Sequence, residues 1–250
     1  HIYMGLAALI GLTFAWPDTL PPLSRFALPV IGVGGFYLIG QVGLFVAMRL
    51  TNPSRVAPLL GIKIIILACL ATFVFDKTTT PLQWTAVLAC FSAVAVLNFS
   101  GGSLPLKAIV MLLFTCTGYA LSDIHIDKLV HALAPLSTLH AAMLGAFLTY
   151  VLLGIVAAVI VPVAKPRTLF ADWHLALPFA AFWFISMLTL FICIGILGPV
   201  FAIILQSSRG LMSVVLGAVL AHRGWSEIEQ RVSPRVLAQR IVAAALMIAA

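Results

Sequence analysis

The sequence predicts an all-α polytopic membrane protein, and three observations carry that expectation. Of its 250 residues 63% are apolar and only 8% charged, with a mean hydropathy of +1.18; a soluble domain needs about a quarter of its residues charged to face water. The apolar residues fall in blocks of about 16 to 28, separated by short polar breaks, and each block is close to the ~20 residues that cross a ~30 Å hydrocarbon core. The two-residue alternation of a membrane β-barrel is missing, which leaves helices that pair every backbone group internally.

The breaks define nine apolar segments. The first, 3–16, closes at Trp16-Pro17-Asp18. The second, 27–49, is rich in glycine (Gly32, Gly34, Gly35, Gly40, Gly43) and ends at Arg49. The third, 54–75, stops at Asp76-Lys77. The fourth is 83–99, and a Gly101-Gly102-Ser103 turn leads to the fifth, 105–122. A polar stretch over 122–131 precedes the sixth, 137–162. The apolar run 174–222 is too long for one helix, and Gly198-Pro199 divides it into segments 174–197 and 200–222, because proline removes a hydrogen bond and clashes with the preceding turn. A charged loop over 223–235 leads to the ninth, 236–250. The glycines favour close helix packing, since lipid supplies little hydrophobic drive and van der Waals contact must do more. The chain is inside an apolar helix within a few residues of His1 and ends midway through the short run 241–250, with no basic leader or cleavage site. The polypeptide is therefore expected to extend beyond both ends.

A formal charge of +7 in a soluble protein would point to nucleic acid. Here the 14 basic residues are dispersed among membrane segments, which points to anionic headgroups instead, with no nucleic-acid partner. Cys69, Cys90, Cys116 and Cys193 lie inside apolar blocks without metal-ligand spacing and read as small buried hydrophobes. There is no HExxH, P-loop, dinucleotide fingerprint or nucleophile elbow. No cofactor, metal or catalytic residue is expected, and neither an enzyme nor an ATP-driven pump.

An internal repeat emerges when Pro53 is laid on Pro199, an offset of 146 residues. Asn52-Pro53 then matches Gly198-Pro199, each pair between two apolar runs. Lys63 falls on Arg209, and Tyr37 on Trp183. Greasy helices align by chance easily; the shared proline break and intramembrane base are what raise this match above that. With one further helix upstream, each repeat has five helices. An odd number inverts the second half relative to the first, the usual architecture of secondary transporters with a site near the midplane.

Several polar residues inside apolar segments are candidate substrate-binding groups. Lys63 lies about nine residues into its segment. A cation that deep costs on the order of 3 kcal/mol, so it either snorkels to the headgroups or faces a polar cavity and binds an anionic group. Arg209 sits in Gln206-Ser207-Ser208-Arg209-Gly210, where its fixed fork suits a carboxylate or phosphate, unless it ties neighbouring carbonyls. Tyr119 and Asp123 are four apart and share a helix face. Asp123 either exchanges protons beside a cavity or is an ordinary helix end; His125 follows it two residues on, and Asp127 and Lys128 read as a solvated helix end. Tyr37 and Gln41 share a face of the second segment, and Trp183 holds the matching place in the seventh. These line a pocket or serve as packing and interface anchors. Tyr150 and His140 are weaker candidates of the same sort.

Residues 44–70, the stretch Gly118-Tyr119-Ala120-Leu121-Ser122-Asp123, and Gly198-Pro199 through Ser208-Arg209-Gly210 to His222 resemble the EamA-like branch of the drug/metabolite transporter superfamily. The resemblance implies ten helices in two inverted five-helix repeats around a central cavity, with the family's first helix upstream of residue 1. Residues 1–103 then hold helices two to five, and 104–250 helices six to ten. The sequence departs from the pattern where Asp76 replaces a glutamate often found after the fourth helix, and where Glu227 and Glu229 come late.

The resemblance implies secondary transport of small metabolites or drugs, usually outward. Together with the two bases it predicts anionic or zwitterionic, amino-acid-like or organic-acid substrates, and Asp123 supplies a route for proton coupling. The setting is a multi-pass protein of the inner (plasma) membrane, as monomer or homodimer. A flippase or membrane enzyme acting on a phosphorylated lipid is the alternative, or a non-transporting subunit of a larger complex. Loops on the side of residue 1 hold Arg49, Arg55, Lys107, Lys165, Arg167, Arg223, Arg231 and Arg235, against Arg25, Lys77 and Lys128 opposite. That bias puts the start of the chain in the cytoplasm, whereas the resemblance puts it outside.

Overall fold

The structure, a computed structural model, describes residues 1–51, 56, 59–74, 80–82, 84–85, 87–89, 91–92, 105–164, 173–222, 238 and 242, without the side chains of 164, 207–211, 213, 214, 218 and 220–222. Among these there is no strand, and the helices are α1 (Ile2–Ala15), α2 (Leu23–Leu50), α3 (Ile62–Phe73), α4 (Leu106–Ala132), α5 (Thr138–Ala164), α6 (Trp173–Leu197) and α7 (Pro199–His222). Four of them (α2, α4, α5 and α6) are long and apolar enough to cross a membrane. The chain is thus a helical, multi-pass membrane protein. Its outer surface carries Phe14, Leu28, Val163 and Phe182, each largely exposed, as side chains facing lipid should be.

Local chemistry sets the boundaries. The hydroxyl of Ser137 accepts from the backbone N–H of His140 at 3.4 Å and caps the start of α5. Gly198 takes the left-handed conformation, φ +78°, and its N–H donates to the Ile194 carbonyl at 2.9 Å, closing α6. Pro199 then opens α7, where its missing N–H costs nothing. The divided 174–222 run is therefore two helices with the break where Gly198-Pro199 places it. Pro29, Pro162 and Pro178 are carried inside helices α2, α5 and α6, as neighbouring helices allow in membranes.

Two expected boundaries move. The fifth segment, expected to end at 122, continues as α4 to Ala132. No proline or glycine interrupts the chain between Gly118 and Pro135, and the polar stretch interleaves side chains that bury: Ile124, Ile126, Leu129 and Val130. Asp127 is buried with them, which corrects its reading as a solvated helix end; Lys128 is exposed as that reading has it. The third segment, expected as one helix over 54–75, has a turn at Leu60-Gly61, and α3 starts only at Ile62. Most of the ninth segment and of the fourth lies outside the described residues.

The chain forms two compact units. One comprises His1–Gly35 and Ser122–Pro199. There α1 packs on α5, α5 on α6, and α1 touches α6. Gly5 and Gly154 face each other where α1 crosses α5; a Cβ on Gly5 would lie 2.7 Å from the Gly154 Cα, so only hydrogen permits the approach. His140 bonds through Nε2 to the Ala15 carbonyl at 2.7 Å and so caps the end of α1. Phe184 meets Phe147 and, edge-on, Tyr150. The hydroxyl of Ser122 donates to the Val33 carbonyl at 3.0 Å, tying α4 to α2.

The other unit comprises Phe36–Leu121 and Val200–Ala250. Its centre is the crossing of α2 and α4 at Gly40 and Gly118. A Cβ on Gly118 would stand 2.8 Å from the Gly40 nitrogen and 2.9 Å from its Cα. The ring of Tyr119 lies against Gly40, where a Cβ would meet it at 2.6 Å.

Candidate functional site

The second unit gathers polar side chains from four helices, and the turn before α3 is where the arrangement begins. Lys63 and Ile64 donate their backbone N–H groups to the Leu60 and Gly61 carbonyls, each at 3.0 Å, three residues back. The Leu60 carbonyl also accepts the thiol of Cys116 on α4 at 3.9 Å. Lys63 is thus the second residue of α3 and not mid-helix as its segment implied. Its side chain is only 3% exposed. It does not run along the helix to the surface; it turns inward among its neighbours.

The Lys63 ammonium donates to the Gln206 Oε1 of α7 at 3.2 Å and lies 5.8 Å from the centroid of the Tyr119 ring. That distance is within the range of a cation–π attraction, which strengthens when water is excluded. The Tyr119 hydroxyl donates to the Gln41 Oε1 of α2. Tyr119 also stacks on Tyr37, with centroids 5.8 Å apart and planes at 27°. Tyr37 and Gln41 stand one helical turn apart, so α2 offers a ring and an amide to the same partner. Tyr37, Gln41, Lys63 and Tyr119 are all buried, and Gln206 is half-buried.

Five sequence-predicted residues thus meet in one place: Lys63, Tyr37, Gln41, Tyr119 and Gln206. Arg209 and Ser207 belong to α7, but their side chains lie outside the described residues. Asp123 and Trp183 belong to the first unit. Asp123 is buried on α4, and Trp183 stacks on Phe179 of its own helix at 5.4 Å. Of the weaker candidates, Tyr150 is buried against Phe184 and His140 is occupied with the Ala15 carbonyl. His125 presses its ring on Gly32. Asp127 is flanked by His131, whose Nδ1 lies 2.8 Å from the Asp127 backbone carbonyl and 3.7 Å from Oδ1.

Cys116 is fully buried, as its reading as a small hydrophobe has it, and its thiol shares the Leu60 carbonyl with the Lys63 backbone N–H. Chemically, the cluster offers an ammonium and two amides beside the stacked Tyr37 and Tyr119 rings, which suits a ligand rich in oxygen acceptors. Among the described residues, no three histidine, cysteine or acidic side chains come together to hold a metal ion. Comparison of the chain with protein-family models and with curated proteins finds no match.

Proposed function

We propose that this protein is a secondary active transporter that moves small anionic or zwitterionic metabolites, amino-acid-like or organic acids, by alternating access and without ATP. The observation that carries the reading is Lys63, a cation buried at 3% exposure within a helical membrane protein, hydrogen-bonded to Gln206 and lying over the Tyr119 ring. An ionisable residue inside such a bundle is expensive to keep and marks a substrate or ion pathway by default. Stacked rings and amides around it supply the remaining contacts of a small-molecule site.

In this reading the chain is built as two inverted repeats of the drug/metabolite-transporter kind, 1–103 and 104–250, in the inner membrane. Lys63 and its repeat counterpart Arg209 hold the substrate's carboxylate or phosphate. Tyr37 and Tyr119 pack its body, Gln41 and Ser207 bond its polar groups, and Gln206 lies beside Lys63 in the same site. Asp123 exchanges the coupling proton. The test is counterflow in liposomes, with purified protein and a screen of labelled amino acids, organic acids and phosphate esters. Arg209→Gln should lower uptake at least tenfold while Arg209→Lys retains part of it. Equal uptake by wild type and Arg209→Gln removes the binding role of that residue, and no counterflow of any screened anion by wild type refutes the transporter.

A further inference from the structure

The acceptor that Lys63 holds in this structure is itself informative. The Gln206 Oε1 comes from α7, 143 residues away, and reaches the ammonium at 3.2 Å. It is a neutral amide oxygen, placed where a ligand's oxygen would have to bind. We propose that Gln206 is an internal stand-in for the substrate, occupying Lys63 in the empty protein and yielding to a carboxylate or phosphate oxygen when substrate arrives. The inference rests on the transport reading and adds to it a residue that sets affinity.

The exchange is favourable by the chemistry of the two acceptors. An ionised oxygen offers the ammonium a full opposite charge where the amide oxygen offers only a dipole, so it attracts the ammonium more strongly in a low-dielectric interior. An amide therefore keeps the ammonium in place and is displaced by an anion, but not by a neutral solute that offers only another carbonyl. Lysine suits the swap, since its flexible stem and three rotatable donors follow a moving acceptor as a rigid fork does not. Gln206 is half-buried, so its amide has room to turn away once released. Because the bond joins α3 to α7, its release also removes a tie between these helices, and a substrate that binds better to the untied arrangement shifts the population toward it.

The experiment uses the full chain in liposomes, measuring counterflow of labelled glutamate, succinate and inorganic phosphate, with binding of the same three anions in detergent followed by thermal shift. Removing the competitor in Gln206→Met should lower the half-saturation concentration for the anion carried best by about tenfold, equivalent to about 1.4 kcal/mol. Gln206→Glu, which gives Lys63 a permanent anionic partner, should raise it at least tenfold. Opposite movements of this kind do not arise from lost packing, and either variant alone decides if the other fails to fold. An unchanged or raised half-saturation in Gln206→Met, or an unchanged or lowered one in Gln206→Glu, overturns the stand-in. Anion binding that responds to both variants without any flux retains the exchange and refutes the transporter. Flux that ignores both variants does the reverse, and absence of both flux and binding sinks the two together.

Discussion

A single methyl group at Gly118 tests the crossing on which the polar cluster is built. The Cβ introduced by Gly118→Ala would lie 2.8 Å from the Gly40 nitrogen, 2.9 Å from its Cα and 3.0 Å from the Phe36 carbonyl oxygen. Ordinary carbon contacts begin near 3.5 Å, so α2 and α4 must part by roughly half an ångström or more. All three obstructing atoms are backbone, and no rotamer change relieves them. Overpacking of this kind costs about 1–3 kcal/mol, against a gain of about 0.8–1.0 kcal/mol from replacing glycine by alanine within a helix. Gly35→Ala supplies the control, since nothing lies within 4 Å of a Cβ there and only the propensity gain applies. The two variants should differ by about 1–3 kcal/mol in unfolding free energy, Gly118→Ala being the less stable. In a chain of this size about 2–4 °C of Tm accompanies each kcal/mol, so thermal unfolding in detergent resolves the difference. Equal Tm values for the two alanine variants would refute the close crossing, and with it the placement of Tyr119 against Gly40.

Three further outcomes follow from named contacts. Tyr119→Phe removes the hydroxyl that the Gln41 Oε1 accepts and should cost about 0.6–1.7 kcal/mol, measured by the same unfolding assay, while Gln41→Leu together with Tyr119→Phe should cost less than the sum of the two single changes. His140→Ala exposes the last carbonyl of α1 by removing its 2.7 Å partner and should lower stability by about 1 kcal/mol, with hydrogen exchange quickening at the C-terminal turn of α1 and not in α3. Val163→Asp places a charge on a largely exposed apolar side chain of α5; if that surface meets lipid, yield from membranes should fall sharply, and normal insertion would show that it does not.

The helices were legible because lipid imposes one dominant rule, and segments such as 137–162 and 174–197 obey it over their whole length; α5 and α6 begin and end within two residues of those bounds. The break at Gly198-Pro199 was legible for a local reason, a residue that tolerates positive φ followed by one that opens a helix. Where two signals competed, the reading erred. The run Ser122, Asp123, His125, Asp127, Lys128 looks like the end of a membrane helix by hydropathy, yet Ile124, Ile126 and Leu129 are buried, as are Ser122, Asp123 and Asp127, and tertiary packing carries α4 to Ala132. The turn at Leu60-Gly61 had only one glycine to announce it, in a chain that holds 18. The polar cluster was legible residue by residue, because Lys63, Gln41 and Gln206 are rare types in apolar surroundings. Their pairing was not, since a hydrogen bond spanning 143 residues leaves no periodic trace in the chain.

The buried lysine also bears on what the cluster is for. Even a well-bonded buried cation is seldom a net stabiliser, because desolvation consumes most of what its partners return. Interhelical hydrogen bonds in membrane proteins average only about 0.6 kcal/mol. Aromatic contacts such as Tyr37 on Tyr119 add about 0.5–1.5 kcal/mol and do not require the charge. If stability alone governed position 63, methionine would serve better, with the same reach and no desolvation. Lys63→Met should therefore leave Tm unchanged or raise it while abolishing anion counterflow, a separation that identifies the ammonium as kept for its ligand. A variant that loses Tm and flux together would show instead that the charge is part of the scaffold, with the Gln206 and Tyr119 contacts as the reason.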